Sequence, residues 1–310
     1  MVESENTEKD MADITRWFVG LVGPGSKTAM GVLLARFAES RKPEGERICY
    51  DPYAMYFVSE DFWKYAIKNP EKVKEAAEQR ERFLPGMDNS IRARARYFDD
   101  FLRKSIEEGL EQLVILGAGY DTRDCRIEGA SRLRTFEVDH PVIQSIKKEK
   151  IEKILGSLPD HVVYVPMDLV NDDLGQKLLE MGYNPSKRAL FFMEGIIYYL
   201  PPKTVDEILS FIVRNSAKGS RILFDYYPQS VVDGDCELEA GRNLSGHLAQ
   251  LGEPLLFGIE DGAVEAFLEE RGFAKVKNVT GDDYKKAYFK GINEGRAVFS
   301  LLYFAHAEIE

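Results

Sequence analysis

The spacing of hydrophobic residues changes near residue 110, from helical stripes to short apolar runs that alternate with helical stripes. Before that point Met30, Leu33, Leu34, Phe37 and Ala38 follow the i, i+3, i+4, i+7, i+8 pattern. This predicts an amphipathic helix with Ser26 as N-cap and with Pro43 and Gly45 beyond its end. A second helix is predicted from Asn69-Pro70, with proline in the first position where no helical N–H is needed, toward Phe83 and the stop at Pro85-Gly86. A third begins after Asp88, turns Ile91, Ala95, Phe98, Leu102 and Ile106 to the core and ends at Gly109. Ahead of these, residues 1–10 have no period and read as frayed. Trp17-Phe-Val-Gly-Leu-Val22 follows acidic residues and is cut by Gly23-Pro24-Gly25, so neither a signal peptide nor a membrane span is predicted.

From Gln112 onward the pattern is that of strands buried on both faces, separated by helices. Gln112–Leu116 is the first such run, and 132–139, 161–168, 189–194 and 221–227 follow. Val205, Ile208, Leu209, Ile212 and Val213 form one stripe of a helix for which Gly219 is the expected stop. This alternation predicts an α/β fold with a doubly wound, mostly parallel sheet. Residues 229–260 break the pattern with five glycines and several acids, and read as a loop and short helix inserted at the carboxyl end of the fifth strand. A helix at 263–271 stopping at Gly272, a strand at Ala274–Val279 and a long last strand at 297–308, paired across 280–296, complete seven strands. The expected division is an N-terminal helical cap, 1–110, and an α/β domain, 111–310, with a lid-like insertion at 229–260.

The candidate chemistry lies at the strand ends, where open α/β sheets bind ligands. Gly117-Ala-Gly119 ends the first strand in a turn that lets a ligand approach the backbone. Asp139 ends the second strand 20 residues after Gly119, the spacing at which a carboxylate accepts both hydroxyls of a ribose. A dinucleotide fingerprint wants a third glycine where Thr122 stands, so adenosine without a pyrophosphate, as in S-adenosylmethionine, fits better. Charge excludes one class of partner. With 41 Lys and Arg against 52 Asp and Glu, net charge -11, the chain lacks the positive surface that nucleic acid requires. Cys49, Cys125 and Cys236 have neither disulfide nor metal spacing, so a reducing cytoplasm and no metal are expected.

Four ordered blocks then carry a family resemblance: Leu116-Gly-Ala-Gly-Tyr-Asp-Thr-Arg123, Phe136-Glu-Val-Asp-His-Pro141, Met167-Asp-Leu169 and Glu194-Gly-Ile-Ile-Tyr-Tyr-Leu-Pro201. With Asp51-Pro-Tyr-Ala54 and Arg92-Ala-Arg-Ala-Arg-Tyr-Phe-Asp-Asp100 upstream, the chain resembles the leucine carboxyl methyltransferase family of class I, Rossmann-like, S-adenosylmethionine-dependent methyltransferases over roughly residues 25–225. The resemblance implies S-adenosyl-L-methionine as cofactor, S-adenosyl-L-homocysteine as product, and an O-methyl transfer to a carboxylate or hydroxyl of a small molecule or protein. It implies that Gly117 lies against the methionine part, that Asp139 holds the ribose, and that Asp168 and Leu169 frame the adenine, with Gly119 also counted as cofactor-binding. Glu194 would face the amino group, and one arginine of 92–96 would hold the carboxylate.

Arg92 and Arg94 are the candidates for that arginine, although helical spacing puts Arg92 and Arg96 on one face and Arg94 off it. The competing expectation is a solvated face on which these arginines pair with Asp99 and Asp100. One departure stands out. Eukaryotic phosphatase methyltransferases of the family have a lysine before Arg-Phe-Ala, and here Ala35 precedes Arg36-Phe-Ala38, so the protein-phosphatase substrate does not carry over. No catalytic residue is assigned. Of the four histidines only His247 is placed to act as a base, and Tyr198 and Tyr199 can reach an acceptor. A nicotinamide-dependent oxidoreductase and a non-catalytic nucleoside-binding protein of the same fold are the two other readings.

Overall fold

The computed structural model describes residues 27–310; Ser26, the segment 1–10 and the apolar piece 17–22 lie outside the described residues. The first helices are α1 (Lys27–Ser40), α2 (Ala54–Phe57), α3 (Glu60–Lys68), α4 (Pro70–Phe83) and α5 (Met87–Glu107). In α1 Met30 and Leu33 are buried as the stripe requires, but Ala38 is exposed and Arg36 and Glu39 are buried instead. Glu39 is held there by Arg296, by Arg92 and by the N–H of Ile48. The short α2 and α3 were not predicted, although α3 has an ordinary start: the Ser59 hydroxyl accepts the N–H of Phe62. α5 begins at Met87, ahead of the predicted start after Asp88. Gly86 leads in with φ +75°, and a Cβ there would lie 2.4 Å from the carbonyl carbon of Val298, so the backbone crossing admits only glycine.

The sheet region runs β1 (Gln112–Leu116), α6 (Arg123–Arg126), β2 (Arg134–Asp139), α7 (Pro141–Leu155), β3 (Val162–Pro166), α8 (Leu174–Glu180), β4 (Ala189–Met193), α9 (Pro202–Arg214) and β5 (Arg221–Tyr226). It continues with α10 (Gln229–Asp233), α11 (Glu239–Gln250), α12 (Val264–Glu269), β6 (Ala274–Val279), α13 (Gly281–Tyr288) and β7 (Tyr303–Glu308). The seven strands lie in the order β3-β2-β1-β4-β5-β7-β6, with β1 to β5 parallel and β7 antiparallel to both its neighbours. The chain leaves β1 toward β2 on one side and returns to β4 on the other. That switch point opens a crevice at the carboxyl end of β1.

Three expectations change. α9 stops at Arg214, where Asn215 turns both its N–H and its side-chain amide onto the Phe211 carbonyl; Gly219 belongs to the following turn. The insertion holds two helices, the second of 12 residues, not one short helix. The last strand covers only Tyr303–Glu308, because the backbone of 297–299 bonds to side chains instead of a strand. Asn89 donates to the Ala297 carbonyl, Ser90 accepts the Phe299 N–H, and Tyr284 donates to the Phe299 carbonyl. Within 280–296 the Thr280–Asp283 capping box starts α13, a Thr-x-x-Asp signal that the sequence reading passed over.

One apolar cluster runs from Ala35, Ile48 and Ile91 through β1 and β4 to Ile259 and Phe299, so the helical segment and the sheet share a core. Two histidines help to join them. His306 of β7 packs on Phe101 and Tyr97 of α5, and His247 of α11 meets the edge of Phe83 in α4. Burial, with Arg80 near His247 and with Lys277, Arg221 and Lys104 near His306, pushes both imidazoles down to about 4. Among the described residues no helix is long and apolar enough to cross a membrane.

Because both histidines are held neutral when folded, the unfolded chain takes up protons first as the pH falls. Their contribution is therefore complete above about pH 6.5 and is lost as the pH drops toward 4. At pH 5 each should cost about 1 to 2 kcal/mol. Melting temperatures at pH 7 and pH 5 should differ less in a His247→Gln, His306→Gln double variant than in the wild type; equal differences would place the acid sensitivity elsewhere.

Candidate active site

A cavity of about 450 Å³ lies at the carboxyl ends of β1, β2 and β4, with α1 across it. Its floor starts where β1 ends. Gly117 has φ +67° and Gly119 φ +46°, and a Cβ on Gly119 would meet nothing nearer than the Gly117 carbonyl at 3.8 Å, so the backbone there faces open space. The Gly119 N–H donates to Asp139 Oδ2 at 2.5 Å and the His140 N–H donates to Oδ1 at 2.6 Å. Burial raises the Asp139 pKa, and these two N–H groups offset part of that rise. Thr122, in the place of a third glycine, is fully buried and gives its hydroxyl to Asp51 Oδ1, which also accepts the N–H groups of Tyr53 and Ala54. A side chain that holds the upstream Asp51 turn thus fills the space a dinucleotide fingerprint keeps open.

Behind the opposite wall is a network of buried charges. Arg94 of α5 donates through Nε to Glu194 Oε1 at 3.1 Å and through Nη1 to Asp225 Oδ2 at 2.6 Å. Glu194 Oε2 accepts from Arg123 Nη1 at 2.6 Å; Arg123 also bonds Asp121, Asp99 Oδ1 and the Ala95 carbonyl. Arg126 closes the set with a bidentate pair onto Asp99. Burial alone would lower the Arg94 and Arg123 pKa values, but their carboxylate neighbours hold both well above the usual range. Burial would likewise raise Glu194, but Arg123 and Arg94 keep it low. Asp121, against the pull of burial, is held at about 2 chiefly by Arg123. Asp225 goes the other way: burial raises its pKa, and Arg94 and the Gly195 N–H offset part of that rise.

The structure brings Arg94, Gly117, Gly119, Asp139 and Glu194 together on the cavity wall. Arg92, Asp168 and Leu169 are not on it. Arg92 bonds the Asn89 side chain and the Ala35 carbonyl and pairs with Glu39, so it braces α1 against α5. Arg94, the arginine off the shared face of Arg92 and Arg96, is the one that reaches the cavity. Asp168 and Leu169 follow β3, and both carboxylate oxygens of Asp168 are taken up within the turn by the Val170 N–H and the Asn171 side chain. The solvated face is half right: Arg96 pairs with Asp100 in solvent, whereas Asp99 is buried against Arg123 and Arg126. His247 is not on the wall; Tyr198 and Tyr199 are.

Several wall residues escaped the sequence reading: Arg36, Tyr120, Asp121 and Glu253 line the cavity, and Asp225 supports it from β5. Asp225 carried a usable signal, a single carboxylate inside the apolar run Ile222-Leu-Phe-Asp-Tyr226, where a buried charge demands a partner. Ala35 is buried in the core, and the following residue, Arg36, faces the cavity. Away from the sheet the wall comes from α1 and from the end of the insertion, which meet where the Thr28 hydroxyl donates to Glu253 Oε2 at 2.6 Å. Among the described residues no group of three or more His, Cys, Asp or Glu side chains could hold a metal.

The leucine carboxyl methyltransferase family model matches residues 29–213. YktD of Bacillus subtilis, provisionally named an S-adenosyl-L-methionine-dependent methyltransferase, is 29% identical over 218 residues, 69% of this chain and 71% of that protein. A Mycobacterium avium protein with the same provisional name is 30% identical over 274 residues, 84% of this chain and 88% of its own. Among solved structures, a DUF574 family protein from Streptomyces avermitilis superposes with a TM-score of 0.57 at 16% identity, over 89% of this chain and 97% of that one. A Thermobifida fusca protein provisionally described as a methyltransferase also gives 0.57 at 16% identity, over 76% and 86%. The structural likeness is one of fold, the α/β Rossmann-like sheet expected from the sequence.

The charge network sets an expectation for stability. Removing one member of a buried ion group leaves uncompensated charge and typically costs about 3 to 5 kcal/mol. Arg123→Met should lose stability on that scale, while Arg96→Ala, whose partner Asp100 is at the surface, should lose less than about 1 kcal/mol. Similar denaturation midpoints for the two variants would show that the buried network is not what holds this edge.

Proposed function

The chain belongs to the leucine carboxyl methyltransferase family and is an S-adenosylmethionine-dependent methyltransferase, and from that premise we propose that the group it methylates is a carboxylate on a small molecule or protein. The observation that carries this reading is the state of the acids on the wall. Glu194 and Asp121 are bound by arginines, Asp139 by two backbone N–H groups, and Glu253 by the hydroxyl and N–H of Thr28. Tyr198 and Tyr199 hold their protons firmly, since burial, with Asp225 near Tyr198, raises both pKa values. A phenol acceptor, with a pKa near 10, would have to give up its proton to one of these engaged groups. A carboxylic acid, with a pKa near 4, arrives already ionised.

The residues present fit the cofactor. Gly119 leaves backbone open to the cavity, and Asp139 has lone pairs beyond those used by Gly119 and His140 for the ribose hydroxyls. Glu194 offers a permanently ionised oxygen pair for an amino group, and Arg94 keeps Nη2 out of its bonds to Glu194 and Asp225 for a carboxylate. Asp168 and Leu169, at the next strand end, are the adenine frame in this reading. S-adenosylmethionine supplies a methyl group made electrophilic by its sulfonium. The protein's part is orientation, since in-line displacement needs nucleophile and methyl held at about 3 to 3.5 Å. Tyr198, Tyr199 and Ile196 on one side and α1 on the other shape the remaining space, and the 229–260 insertion serves as a lid through its end, Gly252 to Leu256.

Two measurements test this. Each charged hydrogen bond lost at Asp139 should cost about 1.5 to 3 kcal/mol, so Asp139→Ala should weaken S-adenosylhomocysteine at least about tenfold by calorimetry; unchanged binding in a folded variant would put the ribose elsewhere. Incubating the enzyme with a metabolite extract and methyl-labelled cofactor should yield products that release labelled methanol in mild alkali, as esters do. Alkali-stable label, as in an aryl ether, would refute the carboxylate reading and leave the methyltransferase assignment intact.

A further inference from the structure

We propose that Arg36 is a second ligand for the carboxylate of the bound cofactor, completing with Arg94 and Glu194 a clamp for the amino-acid end. This rests on the placement of that end at Arg94 and Glu194 argued above. Arg36 comes from α1, lines the cavity and is only 4% exposed. Its guanidinium is placed by one hydrogen bond, Nη2 to the Tyr120 carbonyl at 2.8 Å, in the loop that leaves β1. Nη1 stands 3.6 Å from Asp51 Oδ2, too long for a hydrogen bond, and the buried Nε has no hydrogen-bond partner.

A buried guanidinium N–H without an acceptor costs more than a neutral donor would. Arg123 and Arg126, deeper in the network, are fully used. Arg123 bonds three carboxylates and a carbonyl, and Arg126 is bidentate on Asp99. Arg36, like Arg94, lines the cavity with a donor unspent, and its charge, after those of Arg123 and Arg94, contributes to keeping Glu194 ionised, which places the two groups within electrostatic reach. A planar fork with open donors matches a carboxylate. Arg94, with Nε and Nη1 committed to Glu194 and Asp225, can meet that carboxylate through Nη2 only. Two guanidinium groups and one carboxylate are the complement of an ammonium and a carboxylate on one carbon.

The test compares S-adenosylhomocysteine with 5′-methylthioadenosine, which has the same nucleoside and sulfur but no amino-acid end. Calorimetric Kd values for both ligands are measured on wild type, Arg36→Gln and Arg36→Lys. Arg36→Gln should weaken S-adenosylhomocysteine roughly 10- to 100-fold, the worth of one to two charge-assisted bonds, and leave methylthioadenosine within about twofold. Arg36→Lys, which keeps the charge and loses the fork, should recover part of the loss, and its ratio of the two Kd values carries the test if the glutamine variant fails to fold. An unchanged ratio, whether both ligands weaken together or neither does, would make Arg36 a structural brace for Tyr120 and overturn the proposal. Wild type with no preference for S-adenosylhomocysteine over methylthioadenosine would instead overturn the placement of the amino-acid end at Arg94 and Glu194.

Discussion

Arg94 and Arg123 decide how this molecule is assembled, because each is a buried cation with carboxylate partners on different elements. Arg94 joins α5 to the ends of β4 and β5 through Glu194 and Asp225, and Arg123 joins α6 to α5 and β4 through Asp99 and Glu194. Such groups give little net stability over an apolar core, since desolvation offsets most of the attraction. What they give is a demand for correct geometry: any packing of the helical segment that separates a partner leaves a bare charge inside. α5 is therefore fixed on the carboxyl edge of the sheet by charge and on its opposite end by ordinary packing, Phe98 on Phe192 and Phe101 on His306.

Once α5 is fixed, the cavity follows. The turn after β1 needs room, which its glycines supply, and the Thr122 hydroxyl ties that turn to Asp51 upstream. Arg36 ties it to α1 through the Tyr120 carbonyl. Three separated stretches of sequence thus meet over Gly117 to Asp121, so a ligand there touches the helical segment and the sheet at once. Arginine donors and carboxylates fixed by their own partners need little reorganisation to receive a zwitterion.

What could be read from the sequence was whatever depends on local period or on residues close in the chain. The strand Gln112–Leu116, the proline start of α4 and the Gly119 to Asp139 spacing all belong here, since burial on both faces, a missing N–H and a strand-end carboxylate leave marks within a few residues. The misses depend on distant partners. The start of the last strand was placed too early because Asn89, Ser90 and Tyr284, none adjacent to it in sequence, take up the backbone of 297–299. The choice between Arg92 and Arg94 depended on which face of α5 meets buried acids. Helical phase puts Arg92 and Arg96 on one face, whereas the buried Ser90, Ile91 and Phe98, three or four positions from Arg94, mark the side on which Arg94 is inside. Arg36 had no assigned role in the sequence, because its acceptor, the Tyr120 carbonyl, is 84 residues away.

Charge also links the shape of the cavity to the proposed acceptor. Methyl transfer from a sulfonium to a carboxylate begins with a cation and an anion and ends with two neutral groups, so charge fades along the reaction path. Water stabilises the separated ions more than it stabilises a transition state in which both charges are partly spent, and a dry pocket removes that bias. The wall fits this demand. It carries Arg36, Arg94, Asp121, Asp139, Glu194 and Glu253, with each of these acids held by a donor of its own, and Val32, Ile196, Tyr199 and Pro254 lie beside them. A neutral phenol would gain less from such a pocket, because its proton must first move to an acceptor, creating charge where the wall offers it little support. In the proposed reading, wall acids already held by their own donors therefore favour an acceptor that brings its own negative charge and loses it in the reaction.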